Sequence, residues 1–180
     1  MKVLDGTGNG YYAKVDSENR VHTYSTSEPE DKHINRVGKV WSVISNTTPV
    51  GANDYIFYFK NDGTEEIGIT DIRASAGAAS KLYIRSVSGT PTYTASSDLT
   101  PIARNLGSSK TLTATIKEDT NITNLTDEGH LFVIPCPVAD TLYHLRTSSN
   151  IIIPQGKAIA MYTTGTSAVE VTWSFVGLGS

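Results

Sequence analysis

From Trp41 to the end of the chain, apolar and polar residues alternate with a period of two in short bursts. Leu112, Ala114 and Ile116 alternate with Thr111, Thr113, Thr115 and Lys117, and Val169, Val171, Trp173 and Phe175 alternate with Glu170, Thr172 and Ser174. Leu82 and Ile84 alternate with Tyr83 and Arg85, and Ile67 and Ile69 with Gly68 and Thr70. Successive side chains of a strand point to opposite faces, so each burst predicts a strand with one core face and one wet face. Tyr55 to Phe59 is apolar on both faces, which predicts a strand in mid-sheet or at a contact. Turn residues punctuate the bursts: Asn61-Asp62-Gly63, Ser88-Gly89, Gly107-Ser108-Ser109, Asp127-Glu128-Gly129, Pro154-Gln155-Gly156 and Thr164-Gly165-Thr166. Short strands separated by such turns predict an all-β fold, an antiparallel β-sandwich of the jelly-roll kind with about eight strands. One segment departs from the pattern. Thr100-Pro101-Ile102-Ala103-Arg104-Asn105-Leu106-Gly107 offers a Thr N-cap, Pro in the first turn and Gly beyond the end, and so predicts at most one short helix.

The first 39 residues read differently. Gly6-Thr7-Gly8-Asn9-Gly10 is a flexible segment, and two β-prone runs follow, Tyr11 to Val15 and Arg20 to Tyr24, split by the turn-rich Asp16-Ser17-Glu18-Asn19. A hairpin is the predicted shape. A lone two-stranded hairpin is marginal in water, so this one is expected to pack on something else. Residues 25–39 read as a polar linker. The chain is therefore divided into an N-terminal arm, residues 1–39, as docking segment and linker, and a jelly-roll domain, residues 40–180.

Composition sharpens this picture. Fifteen Lys and Arg against 18 Asp and Glu give a net charge of -3, and charged residues are 18% of the chain. Twenty-three threonines and 18 serines suit the wet faces of strands. Such a chain is neither a basic nucleic-acid binder nor a disordered acidic tail. No apolar run approaches the roughly 20 residues of a membrane helix, and the N-terminus is polar by Asp5, so neither membrane insertion nor a signal peptide is expected. The single Cys136 forms no internal disulfide, which fits synthesis in a reducing cytoplasm.

Catalytic chemistry is hard to find. There is no G-x-S-x-G, S-x-x-K or H-E-x-x-H motif, and His22, His33, His130 and His144 lack zinc-ligand spacing. Cys136, between two prolines, reads as a buried small residue, and His144 as an ordinary strand residue beside water or a neighbour. The adjacent carboxylates Glu65-Glu66, Glu118-Asp119 and Asp127-Glu128 read as solvated turn charges, because neighbours on a strand face opposite ways. The stretch from Glu118 to Glu128 reads as a loop with enough oxygen ligands for Ca²⁺ but no EF-hand pattern. No catalytic, cofactor or metal residues are assigned. The candidate binding residues lie on the arm: Tyr11, Tyr12, Lys14, Arg20, His22 and Tyr24, because rings and charges on an arm without its own core are suited to a partner's pockets.

The arm, Asp5-Gly6-Thr7-Gly8-Asn9-Gly10 through Ala13-Lys14-Val15-Asp16-Ser17-Glu18-Asn19-Arg20-Val21-His22-Thr23, resembles the N-terminal segment of a group of tailed-bacteriophage virion structural proteins of the head-decoration or head-fibre type. Pro101 to Thr115 is similar to an Asn-rich, Gly-Ser-containing segment of the same group. Ile151 to Ala160 and Val169 to Gly177 resemble the last hairpin of phage jelly-roll modules. Asp127-Glu128-Gly129 departs from the pattern, where a Gly-Gly-rich turn is expected. The resemblance implies a non-enzymatic virion protein without cofactors, synthesised in the host cytoplasm and placed on the outer capsid surface. Its implied partners are the major capsid protein and other virion proteins, and a homo-oligomer, a trimer by preference. Two alternatives stand beside it. One is a tail or fibre component with a glycan-binding sandwich, marked by aromatic and acidic side chains converging on one concave face. The other is a polysaccharide depolymerase, although such enzymes usually need longer chains and β-helices.

Overall fold

The computed structural model describes residues 3–4, 12–15 and 21–22 as backbone strands and residues 38–178 in full, the side chains of 147–150 excepted. The chain divides into two compact units, Met1–His33 and Ile34–Ser180, the division falling inside the stretch read as a polar linker.

In the first unit, β1 (Val3–Leu4), β2 (Tyr12–Val15) and β3 (Val21–His22) form a sheet in that order. The expected hairpin is its β2–β3 pair, antiparallel, with Lys14 opposite His22 and Val15 opposite Val21. A strand not foreseen, β1, joins the other side, with Leu4 opposite Tyr12. The glycine-rich segment lies outside the described residues.

The second unit is all-β, and no helix occurs among the described residues. Its elements are β4 (Val40–Thr47), β5 (Tyr55–Asn61), β6 (Ile67–Ala76), β7 (Ser80–Thr92), β8 (Ser97–Asp98), β9 (Ile102–Ala103), β10 (Ala114–Cys136), β11 (Tyr143–Ile153), β12 (Ala158–Thr163) and β13 (Val169–Gly177). They build two five-stranded antiparallel sheets, β5-β12-β7-β10-β8 and β11-β6-β13-β4-β9. Set aside the two-residue strands β8 and β9, and the pairing is nested. The first long strand pairs with the last (β4 with β13), the second with the seventh (β5 with β12), the third with the sixth (β6 with β11) and the fourth with the fifth (β7 with β10). That nesting is the double Greek key of a jelly roll, as the alternation predicted.

Between the sheets lies one core. Phe57 stacks on Trp173 at 4.4 Å and Phe59 on Phe175 at 4.5 Å, tying β5 of one sheet to β13 of the other. Ile69, Ile72, Leu82, Ile84, Met161 and Val171 fill the space around them. Aromatic pairs at this spacing contribute about 0.5–1.5 kcal/mol beyond their buried area. Strand β5 is covered on both faces, as its sequence predicted, because Tyr58 on its other side belongs to a second, smaller cluster with Val87, Ile122, Ala158 and Ala160. Asn61, fully buried, ends β5. Its amide donates to the carbonyls of Glu65 (2.8 Å) and Ile153 (2.9 Å), and its oxygen accepts from the Gly63 amide at 3.0 Å. One side chain thereby fixes the predicted Asn61-Asp62-Gly63 turn.

Three expectations are corrected. Thr100–Gly107 is not helical: Ile102 and Ala103 form β9 against Ser42 and Trp41, and the Asn105 side chain accepts from the Gly107 amide at 3.1 Å. That local bond competes with the helix, and Leu106, 89% exposed, offers no face to bury. Ser88-Gly89 and Asp127-Glu128-Gly129 are not turns; they lie inside β7 and β10. Gly89 (φ +99) passes so close to the Asn124 carbonyl that a Cβ there would sit at 2.8 Å. The stretch from Glu118 to Glu128 is likewise no loop but the middle of the 23-residue β10. This strand pairs first with β5 (Ala114 to Ile122) and then with β7 (Thr123 to Cys136), so it borders its sheet on both sides.

Candidate functional site

Of the residues expected on the arm, Tyr12 and Lys14 stand on β2 and His22 on β3, with Lys14 and His22 opposite in register. Tyr11, Arg20 and Tyr24 lie outside the described residues. What the structure adds is a site on the jelly roll: the outer face of β5-β12-β7-β10, the side turned away from the shared core.

Alternation alone places Tyr83 and Arg85 on this face of β7, because Leu82 and Ile84 belong to the core. Tyr162 sits opposite Tyr83 on β12. Two register shifts then bring residues that alternation would send inward. On β5 the pairing moves from Phe57↔Met161 to Tyr55↔Tyr162, so Ile56 and Phe57 both enter the core and Tyr55 comes out beside Tyr162. On β10 it moves from Phe132↔Ile84 to His130↔Arg85, and the extra residue, Leu131, lets Phe132 pack inward while His130 faces Arg85. A third shift, between Asp127↔Val87 and Gly129↔Ser86, makes Glu128 the extra residue. Gly129 (φ +144) occupies backbone space that side-chain-bearing residues rarely adopt. Bulges of this kind re-aim side chains, and three of them border one patch.

The result is a row of rings across four neighbouring strands, β5-β12-β7-β10. Tyr83 and Tyr162 stack with centroids 4.8 Å apart, Tyr55 meets Tyr162 edge-on at 5.4 Å, and the His130 ring meets Tyr83 edge-on at 5.2 Å. Arg85 lies over the Tyr162 ring at 5.8 Å, its Nε donates to Asp127 Oδ1 at 2.8 Å, and its Nη1 contacts the His130 ring. Asp127 completes the ion pair with Arg85 and also accepts from the Gly129 amide at 2.9 Å. On the other side of β7, where Ser86 stands opposite the core residue Ile159, the Ser86 hydroxyl donates to Glu128 at 3.1 Å. Burial, and next to it the Asp127 charge, push the Tyr55 phenol above its ordinary range, while hydrogen bonds from Ser88 and Ser86 hold Glu128 below the usual carboxylate range.

The rest of this outer face is covered by the chain itself. Tyr93 and Leu125 pack on the smaller cluster around Tyr58 and Ala160. The cover is pinned by Asp119, a buried carboxylate that accepts from the amides of Thr94 (2.5 Å), Ala95 (3.0 Å) and Thr120 (2.6 Å). Its neighbour Glu118 turns the other way, to the Asn46 amide (2.8 Å) and the Thr47 hydroxyl (3.3 Å), as adjacent residues of a strand must. Among the described residues no group of three or more His, Cys, Asp or Glu is placed to hold a metal ion. Cys136 is buried at the end of β10, and burial pushes its thiol up. His144 stands on β11 beside a neighbour, Asp71, which also pairs with Arg73 Nε at 3.1 Å.

Tyr83, Arg85 and Tyr162 were legible as polar-face residues, but nothing in the sequence marks Tyr55 and His130 as facing the same way, since bulges leave no simple periodic trace. Comparison of the chain with protein-family models, with curated proteins and with solved structures found no match. The chemistry on offer is recognition: phenols, hydroxyls, and a guanidinium balanced by a carboxylate.

Proposed function

We propose that the chain is a non-enzymatic structural protein of a tailed-phage particle, a capsid decoration protein held by its N-terminal arm on the major capsid protein, with the jelly roll displayed. The observation that carries this reading is the division of labour along the chain. Both sheets of the jelly roll and its core come from residues 40–177, so the first unit is left for a different task. Its strands are of two and four residues, too short to bury a core of their own, and such strands gain by adding to a partner's sheet edge. The resemblance of the arm to head-decoration proteins points the same way. Removal of residues 1–24 is expected to leave a folded domain that no longer co-sediments with capsids; co-sedimentation at the parent level would refute the reading.

A second reading, a tail or fibre component that binds a host glycan, is favoured by one observation: aromatic and acidic side chains converge on one outer face, through Tyr55, Tyr83, Tyr162 and Asp127. A screen of the intact chain against bacterial polysaccharides tests it. Silence across the panel counts against it.

A further inference from the structure

We propose that the patch around Tyr83, Tyr162 and Arg85 is a saccharide-binding site for a neutral, extended polysaccharide; this deepens the glycan-binding reading and rests on it. Three observations converge. The first is segregation: of the six tyrosines on described strands and loops of the jelly roll, Tyr55, Tyr58, Tyr83, Tyr93 and Tyr162 belong to this one outer face or its cover, and Tyr143 alone packs against the shared core. The second is the trio of bulges, two of which bring Tyr55 and His130 to the same outer surface as Tyr83 and Tyr162.

The third observation selects the ligand. Arg85 is balanced by Asp127, so the patch carries no net charge to draw nucleic acid or an acidic polymer. Phenol hydroxyls, the Arg85 guanidinium and the Asp127 carboxylate supply the donors and acceptors that suit a polyhydroxylated ligand. The tyrosine rings stand across three strands spaced about 4.8 Å apart, so their row runs for about 10 Å, and it lies on the sheet's outer face. That shape fits a stretch of polymer better than a small molecule, which favours an enclosed pocket. Ring stacking among the tyrosines fixes the hydroxyls in place before the ligand arrives, which lowers the ordering cost of binding.

The test is binding of the intact chain to a panel of neutral and acidic bacterial polysaccharides, by calorimetry, with Tyr83→Phe, Arg85→Gln and Asp127→Asn compared with Arg73→Gln on the opposite outer face. Each variant is first checked for an unchanged melting profile, and Tyr83→Phe keeps the ring stack. The expected result is binding to a neutral polymer, weakened about tenfold by each patch substitution, the size of one lost hydrogen bond to a charged group, and unaltered by Arg73→Gln. Binding that survives all three patch substitutions overturns the site and leaves the glycan-binding reading standing. Preference for an acidic polymer overturns the ligand class. No binding at all defeats both, and a change of oligomeric state in the patch variants would show that the face meets a second copy instead.

Discussion

The two sheets of this jelly roll share one core but turn very different faces to water. On β11-β6-β13-β4 the outward positions include Ile44, Asn46, Arg73, His144, Glu170 and Thr172, with no tyrosine, phenylalanine or tryptophan among them. Strand β13 pairs with β4 through eight consecutive residue pairs, Val169↔Thr47 to Val176↔Val40, with no shift. On β5-β12-β7-β10 the outer face has a small core of its own over one half, roofed by Tyr93 and Leu125, and a ring-and-charge network over the other. The pairings of β6 with β13 and β11 each shift once as well, so a bulge by itself does not shape a surface. The difference lies in what the shifts carry outward: on β5-β12-β7-β10 they gather rings and charges on one face.

The sharpest way to break the contrast is to delete matched side chains from the two faces. Tyr58→Ala removes a ring that is 3% exposed from the small core, and the expected cost is about 3 kcal/mol, in the range of large-to-small changes. Ile44→Ala removes a side chain that is 62% exposed from the other face and is expected to cost no more than about 0.5 kcal/mol. Denaturant midpoints of the two variants measure the difference directly. Equal losses would mean that the small cluster contributes no stability.

Asp119 offers a smaller effect with a local signature. Its carboxylate takes three backbone amides, and Asp119→Ala strips them of their partner at an expected cost of about 1–3 kcal/mol. Hydrogen exchange should accelerate at Thr94 and Ala95, while amides of β13 keep their protection relative to the parent once the global change is subtracted. Uniform acceleration would show that the cover is not a separate cooperative element.

How much of this could be read from the chain alone follows from which signals are periodic. The two-residue alternation of Val169 to Phe175 placed Trp173 and Phe175 in the core, and the doubly apolar Tyr55 to Phe59 placed β5 under cover on both sides. Gly89 and Gly129 were read as turns because glycine signals positive φ, and here the φ values of +99 and +144 serve the interior of long strands instead. Pairing partners decide between turn and bulge, and partners are a property of the fold. Thr100 to Gly107 shows the same limit: its caps suit a helix, but Asn105 takes the Gly107 amide and β4 recruits Ile102 and Ala103. The patch was legible only as isolated residues, since it is assembled from β5, β7, β10 and β12.

Alkaline pH sharpens the comparison further, because phenols crowd one face only. Burial first, then the Tyr58, Asp98 and Asp119 neighbours, push the Tyr93 phenol up to about 12, against 10.0 for a free phenol, and burial also raises Tyr58 and Tyr55. The unfolded chain therefore loses these protons at lower pH than the folded one. The stabilisation is complete below about pH 10 and drains away as pH rises toward about 12. Ultraviolet titration should show tyrosines ionising late and together with loss of structure. Tyr93→Phe is expected to flatten the fall in stability across this window, and an unchanged slope would assign the fall to other groups.

The smallest effect is on the acid side, at the bulge that carries Glu128. Hydrogen bonds from Ser88 and then Ser86 favour its ionised form and hold its carboxyl below the ordinary 4.5. The unfolded chain thus takes up this proton first as pH falls. Glu128 supports the fold above about pH 4.5, and the support disappears as pH drops through its lower native value. Its exposure to solvent keeps the effect slight. Glu128→Gln should show a shallower loss of stability below about pH 4.5 than the parent chain, seen as converging denaturant midpoints at the acid end. If the two chains keep the same separation at every pH, the hydrogen bonds to Ser86 and Ser88 do not favour the ionised carboxylate, and the bulge there owes its shape to Gly129 alone.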